Sequence, residues 1–515
     1  MKGDSKVQKS VLNAKINTVC FFVSLIISFF SRKIFLDMLG VSFMGLTSTL
    51  MSMLGFLNIA ELGIGTAIGY VLYKPISQDD QIQINELVSV MGYLYKCIGH
   101  IILVLGIVLS LFFPLIFKNE TSFSYYVIYF GFFSYLISSL IGYYINYKQI
   151  LLSADQRNYE VTGYYQIIGV LISLSQMGFA LLTKNFYIFF AMQLFGGISY
   201  SIILNWRINK VYPWLIADVN KGKVLLKEYP EILKYIKQIF IHKIGTFVQF
   251  QFAPILIYSF VSLPIVALYS NYSLLTEKIQ GFFNGVLNST AAGVGNLVAE
   301  GDNNKIWAIY KQLLSIRFFV SGVSVSCFYF MVSDFIELWL GSQFVLAPIT
   351  ALMISFSLYL QLTRGATEQF IGGYGLFYDV WAAIVESIIF IVASIIFGSL
   401  YGLNGVLVGP ILSTVLIIHL WKPYFLFRKG LRRSLINYFR IVAFYFFSTI
   451  VCYIFCAFLM HQISFVLDGW YAFVLRALVF LILYMCVCFI MFYAFSISFR
   501  LFVRENFKRI IKNRQ

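Results

Sequence analysis

Charge is scarce in this chain. Of its 515 residues only 12% are Asp, Glu, Lys or Arg, against about 25% in soluble globular proteins. A soluble fold of this length needs polar groups to cover its surface, and too few are available here. A CxxC motif and a metal-like histidine pair are also missing. The seven cysteines Cys20, Cys97, Cys327, Cys452, Cys456, Cys486 and Cys488 lie inside apolar stretches, and the four histidines His100, His242, His419 and His461 are scattered. No spacing suits zinc or a dithiol centre, so the cysteines are read as reduced packing residues and no cofactor is expected. Lys2, Lys6 and Lys9 precede an apolar stretch as in a leader peptide, yet no small-residue cleavage site follows, and the segment is expected to remain as the first helix.

What the chain has in abundance is apolar mass. Hydrophobic residues make up 60% and aromatics 19%, with 54 Phe and 35 Tyr, a composition suited to lipid-facing surfaces and interfacial belts. The net charge of +16 does not indicate nucleic acid, because the cations fall in short clusters between apolar runs. A helix crossing a bilayer needs about 20 mostly apolar residues. About fourteen such segments are read, near 12–31, 44–73, 88–117, 122–147, 161–182, 185–206, 238–260, 264–297, 306–332, 345–367, 377–399, 402–422, 437–460 and 469–499. The expected fold is therefore an all-α polytopic membrane protein. With an even number of spans both termini share one side. If that side is the cytoplasm, the external connections hold only Arg32, Lys33, Lys118 and Lys184 as basic residues, while the internal ones hold the clusters at 207–237, 422–433 and 500–514.

The chain also repeats itself. Tyr159-Glu160-Val161 opens the fifth apolar segment and Tyr378-Asp379-Val380 the eleventh. The same offset lays the fourth segment over the tenth and the sixth over the twelfth. Residues 1–210 and 238–425 are expected to be two lobes of six helices in the same orientation. Residues 211–237 are a basic cytoplasmic connector, and 426–515 add two helices and a basic cytoplasmic tail.

A charge at mid-bilayer costs about 2.5–3.5 kcal/mol on insertion scales, so charges inside spans mark candidate sites. They are Glu61, Glu277, Lys278, Arg317, Arg364, Glu368 and Glu386, with Lys15 and Arg476 expected to reach an interface. Arg317, Lys278 and Arg364 suit phosphate, Arg through its fork and Lys as a point charge. Glu61, Glu277 and Glu386 suit a coupling ion, H+ or Na+. Arg364 and Glu368 are spaced to pair with each other on one helix face. Glu61 and Arg317 have no opposite charge one turn away. Gly63, Gly65, Gly293 and Gly295 are read as close-packing small residues.

Two segments carry a resemblance. Leu39-Gly40-Val41-Ser42-Phe43-Met44-Gly45-Leu46 with Ala60-Glu61-Leu62-Gly63-Ile64-Gly65-Thr66-Ala67 resembles the first two helices of bacterial polysaccharide (O-antigen or capsule) repeat-unit flippases. Tyr401-Gly402-Leu403-Asn404-Gly405-Val406-Leu407-Val408-Gly409-Pro410 resembles their twelfth helix. These flippases belong to the multidrug/oligosaccharidyl-lipid/polysaccharide exporter superfamily. The resemblance implies two six-helix lobes working by alternating access in the bacterial cytoplasmic membrane. It implies as substrate an undecaprenyl-diphosphate-linked glycan, with other polysaccharide-assembly membrane proteins as partners. A general substrate-contacting role carries over to Arg317, and with it to Lys278, Arg364 and Glu61. A multidrug or cation antiporter of the same superfamily is the alternative. A membrane enzyme ranks last, since the external connections are short and Asp79-Asp80 is a lone acidic pair in a cytoplasmic loop.

Overall fold

The computed structural model describes residues 6–61, 63–287, 290–376, 378–463 and 469–512. Every element among them is helical. By contact the chain forms two units, Met1–Ala267 and Leu268–Gln515. The boundary falls after the seventh apolar segment, whereas the sequence places it at the basic connector.

The first unit holds α1 (Lys6–Leu39), α2 (Val41–Leu57), α3 (Ile64–Gln78), α4 (Gln81–Leu111), α5 (Tyr125–Ile145), α6 (Asn158–Thr183), α7 (Phe186–Val211) and α8 (Pro230–Phe260). Local chemistry sets the starts. The Asp80 carboxylate accepts the Gln83 N–H at 3.0 Å to open α4, and the Asn185 side chain accepts the Tyr187 N–H at 2.8 Å to open α7, each satisfying a donor that the first turn leaves over. Helix α1 packs on α6, α5 on α7, and α8 on α2. The Phe56 ring meets Phe252 of α8 at 4.8 Å, one of the contacts that ties α8 to the first unit.

The connector after α7 is a strap, not a loose linker. The Ile216 N–H donates to Asn85 Oδ1 at 2.7 Å, the Asp218 N–H to Ser89 Oγ at 2.9 Å, and the Tyr229 hydroxyl to Glu86 Oε2 at 2.5 Å. All three acceptors lie on the first turns of α4, so the strap covers that end of the helix.

The second unit holds most of α9 (Leu263–Leu287), then α10 (Ala291–Glu300), α11 (Asn303–Leu340), α12 (Pro348–Thr363), α13 (Gly365–Gly373), α14 (Val380–Ser413), α15 (Leu435–His461), α16 (Gly469–Phe495) and α17 (Ile497–Lys512). Helix α14 doubles back on itself. Gly402 sits at φ 57° and ψ −131°, a conformation that costs an L side chain dearly. Beyond it the chain returns antiparallel: the Ser394 hydroxyl donates to the Val406 carbonyl at 2.9 Å. A side-chain carbon on Gly409 would lie 1.9 Å from Ser394 Oγ. The returning arm runs on through helical turns to Leu431. The last helices gather on α11, where Phe330 stacks on Phe480 at 4.0 Å and Phe318 on Tyr445 at 5.4 Å.

Among the described residues nine stretches are long and apolar enough to cross a membrane. One of them, Val380–Leu431 at 52 residues, is the Gly402 hairpin and supplies two helices. The remaining apolar segments of the sequence are also helical but are not plain spans: Val41–Gln78 is interrupted at Asn58–Gly63, Leu263–Glu300 is two helices, Pro348–Gly373 is interrupted at Arg364, and Pro230–Phe260 begins with cations. Outward faces are apolar. Val474, Leu478, Ile482 and Ile490 of α16 are exposed, as are Leu171, Leu174 and Leu182 of α6. Surfaces of that kind need lipid as their solvent.

Candidate functional site

In the first unit the chemistry centres on Glu61. The helical path of the second apolar segment breaks into a short turn, Asn58–Glu61, and Gly63 follows at φ 97°. The break carries the carboxylate out to two phenols: the Tyr95 hydroxyl donates to Oε1 at 2.6 Å and the Tyr143 hydroxyl to Oε2 at 2.7 Å. Tyr95 comes from α4 and Tyr143 from α5, and their rings meet edge to face at 5.4 Å. The Ser139 hydroxyl, one turn along α5 from Tyr143, donates to Asn58 Oδ1 at 3.3 Å. One neutral donor thus holds each oxygen of a half-buried acid, an arrangement able to keep a carboxylate inside a membrane protein and to respond when it takes up a cation.

In the second unit the charges cluster around the junction of α12 and α13. Arg364 Nη2 lies 2.6 Å from Glu368 Oε1, the pair that the spacing predicts, and Arg364 Nη1 donates to Gln361 Oε1 at 3.0 Å. Arg317 reaches this junction from α11. Only 1% of it is exposed, and its guanidinium lies flat against Gly365: a Cβ there would sit 2.1 Å from Nη1 and 2.3 Å from Cζ. A side chain there would displace the guanidinium from this place. Glu368 interacts electrostatically with Arg364 first, then with Lys422 and Arg317, and Arg364 also with Glu386. Glu386 is 4% exposed. The cluster is a nearly neutral network of opposed charges, with the Tyr310 and Thr367 hydroxyls 3.1 Å apart binding α11 to α13 beside it.

The candidates are spread over both units. Glu61 lies in the first unit, and the others in the second. Glu277 is exposed and Lys278 half-buried on α9, one residue apart and so pointing in different directions. Arg476 is at an exposed position, 3.3 Å from Asp334, and Lys15 is exposed. The reading of Gly293 and Gly295 as close-packing residues does not hold: among the described residues nothing lies within 4 Å of a carbon placed there.

Two further buried acids, one in each Tyr-acid-Val stretch, meet bases. Glu160, at the start of α6, accepts from Arg207 Nε of α7 at 2.6 Å and from Arg157 Nε at 3.0 Å. Asp379, at the start of α14, accepts from Lys422 at 2.7 Å. Each acid is almost fully buried, and each meets a base 47 or 43 residues later on the next apolar segment. These are the acids of the two Tyr-acid-Val stretches. The sequence marked their alignment but not the cations that answer them.

No protein-family model matches the chain, and no curated protein matches it. Solved structures do. The lipid II flippase MurJ, in its inward closed conformation, superposes with a TM-score of 0.67 at 15% identity, covering 94% of this chain and 99% of MurJ. An inward-facing MATE-family multidrug resistance transporter of the MOP superfamily gives 0.59 at 13% identity, covering 82% of this chain and 99% of the transporter. A MATE protein in its bent conformation gives 0.51 at 15% identity, covering 84% and 97%. The chain has the fold of these MOP-superfamily transporters. On this fold the long apolar helices make it a multi-pass membrane protein, and the buried charges of each unit are polar groups held inside helical walls. Within such walls guanidinium groups suit phosphate oxygens, and a phenol-held carboxylate suits a proton or small cation.

Proposed function

We propose that the protein is a flippase that carries an undecaprenyl-diphosphate-linked oligosaccharide repeat unit across the bacterial cytoplasmic membrane by alternating access, for O-antigen, capsule or exopolysaccharide assembly. The observation that supports it most is the reach of the likeness. The match to MurJ, named for flipping lipid II, takes in 94% of this chain. The match to the MATE multidrug transporter takes in 82%, short by about the size of the last two helices and tail. In this reading residues 1–210 and 238–425 are six-helix lobes, and the matched acid–base pairs at Glu160 and Asp379 support that repeat. Both termini and the strap face the cytoplasm. Arg317 leads the diphosphate contacts, with Lys278 and Arg364 as further cations for it. Glu61 takes the coupling ion, H+ or Na+, with Glu277 and Glu386 as further acids on the route.

The test uses purified protein in vesicles carrying a fluorescent undecaprenyl-diphosphate-linked glycan. Wild type moves the glycan between leaflets, and Arg317→Ala, inserted at native abundance, does not. Equal flipping by the variant removes Arg317 from the site. A second reading, a multidrug or cation antiporter, is favoured by the Glu61–Tyr95–Tyr143 cluster, an acid held ready for a cation. A deletion strain decides between them: loss of surface polysaccharide supports the flippase, and drug hypersensitivity with intact polysaccharide supports the antiporter.

A further inference from the structure

After Phe495 the helix breaks at Ser496 and restarts as α17, Ile497–Lys512. Three features of α17 stand together. Cations recur every fourth position in its sequence, at Arg500, Arg504, Lys508 and Lys512, with Arg509 beside them, the spacing of one helix face. Ile497 and Leu501, also four apart, are exposed next to that face. Phe499, only 1% exposed, anchors the helix, with its ring 5.1 Å from Phe319 of α11 and 5.6 Å from Phe492 of α16. Gln312 of α11 donates to Glu505 at 3.3 Å. Arg500 and Arg504 lie where α16 ends: Arg500 donates to the Tyr493 and Ala494 carbonyls at 3.0 and 2.6 Å, and Arg504 to the Tyr493 hydroxyl at 3.4 Å.

A helix with exposed apolar residues beside a row of cations, starting one residue past a membrane span, fits the boundary between acyl chains and headgroups. We infer that α17 is an interfacial helix that binds the anionic phospholipid headgroups of the leaflet it lies against. Charge complementarity selects the occupant, since a row of this many cations at a membrane surface attracts anionic lipid. On α11 the contacts of α17 fall on Gln312 and Phe319, which bracket Arg317. Headgroup binding therefore braces the turn of α11 that carries the buried guanidinium. The inference rests on membrane insertion and not on the flippase reading, so the two fail separately.

The experiment is hydrogen exchange on the full chain in nanodiscs of phosphatidylcholine, with or without phosphatidylglycerol. Exchange across 497–512 is expected to slow several-fold in the anionic discs, and the protection to vanish in high salt. The variant Lys508→Gln/Arg509→Gln/Lys512→Gln, which leaves Phe499 and the Arg500 and Arg504 contacts in place, is expected to lose the protection while the spans stay protected. Equal exchange in the two discs overturns the proposal. So does equal protection in phosphatidylcholine discs on adding inorganic pyrophosphate, which would make the surface a phosphate site and not a lipid one.

Discussion

Replacing Glu160 with Gln keeps the shape of the side chain and removes its charge. The carboxylate accepts three charge-assisted hydrogen bonds, from Arg207 Nε at 2.6 Å and Nη2 at 3.2 Å and from Arg157 Nε at 3.0 Å. Its own side chain is 4% exposed. Removing one partner of a fully buried pair costs about 3–5 kcal/mol, because the remaining charge stays desolvated. Arg207 and Arg157 keep 26% and 23% exposure, so water takes up part of the uncompensated charge, and the expected loss falls to about 2 kcal/mol. The assay is thermal unfolding of purified protein in one detergent, run as a double-mutant cycle with Arg207→Gln. The cycle should return a coupling of about 1–2 kcal/mol, since the two residues share one network. Asp379→Asn with Lys422→Gln should return a coupling of the same sign, with one bond in place of three but a base only 17% exposed. Additive losses at Glu160 and Arg207 would refute the coupling expected across α6 and α7, and additive losses at both sites would remove the support the pairs lend to the repeat.

Gly365→Ala puts a methyl group within 2.1 Å of Arg317 Nη1. The guanidinium has to leave its seat, so the variant should lose about 1–3 kcal/mol, the range for overpacking, and lose transport as Arg317→Ala does; a variant with wild-type melting and transport would show that the seat is not needed. Burial first, and the hydrogen bond to Glu86 second, push the Tyr229 phenol up to about 12. A raised folded value means that the strap contributes its stability fully below about pH 10, the ordinary phenol value, and loses it as pH rises through about 12. Hydrogen exchange across 213–229 should therefore accelerate in that window in wild type, and already at neutral pH in Tyr229→Phe. Unchanged exchange in the variant would make the Glu86 bond incidental.

How much of this was legible in the sequence depends on how far apart the interacting residues lie. Arg364 and Glu368 are four residues apart on a helical register, so their pair could be read directly. The phenols that hold Glu61 come from 34 and 82 residues away, and nothing marks Tyr95 or Tyr143 among 35 tyrosines. Gly365 looked like any small residue until Arg317 was seen lying on it. The spans themselves were legible wherever the helix is plain, and the exceptions follow a rule. The second and tenth apolar segments are interrupted at Glu61 and at Arg364, the residues that carry the Glu61 site and the Arg364–Glu368 pair. A charge in a helix inside lipid needs a partner, and an unbroken cylinder lets its side chain reach only its own neighbouring turns or the facing helix. An interruption frees backbone and changes the direction of approach, and it is tolerated where the surrounding protein satisfies the exposed groups. Arg317 tests the rule from the other side. Its helix runs unbroken for 38 residues, and the interruption that receives its guanidinium lies on the neighbouring segment, at Arg364 and Gly365. At Glu61, Arg364 and Arg317 the charge lies at a fault in a helix, either its own or the one it faces.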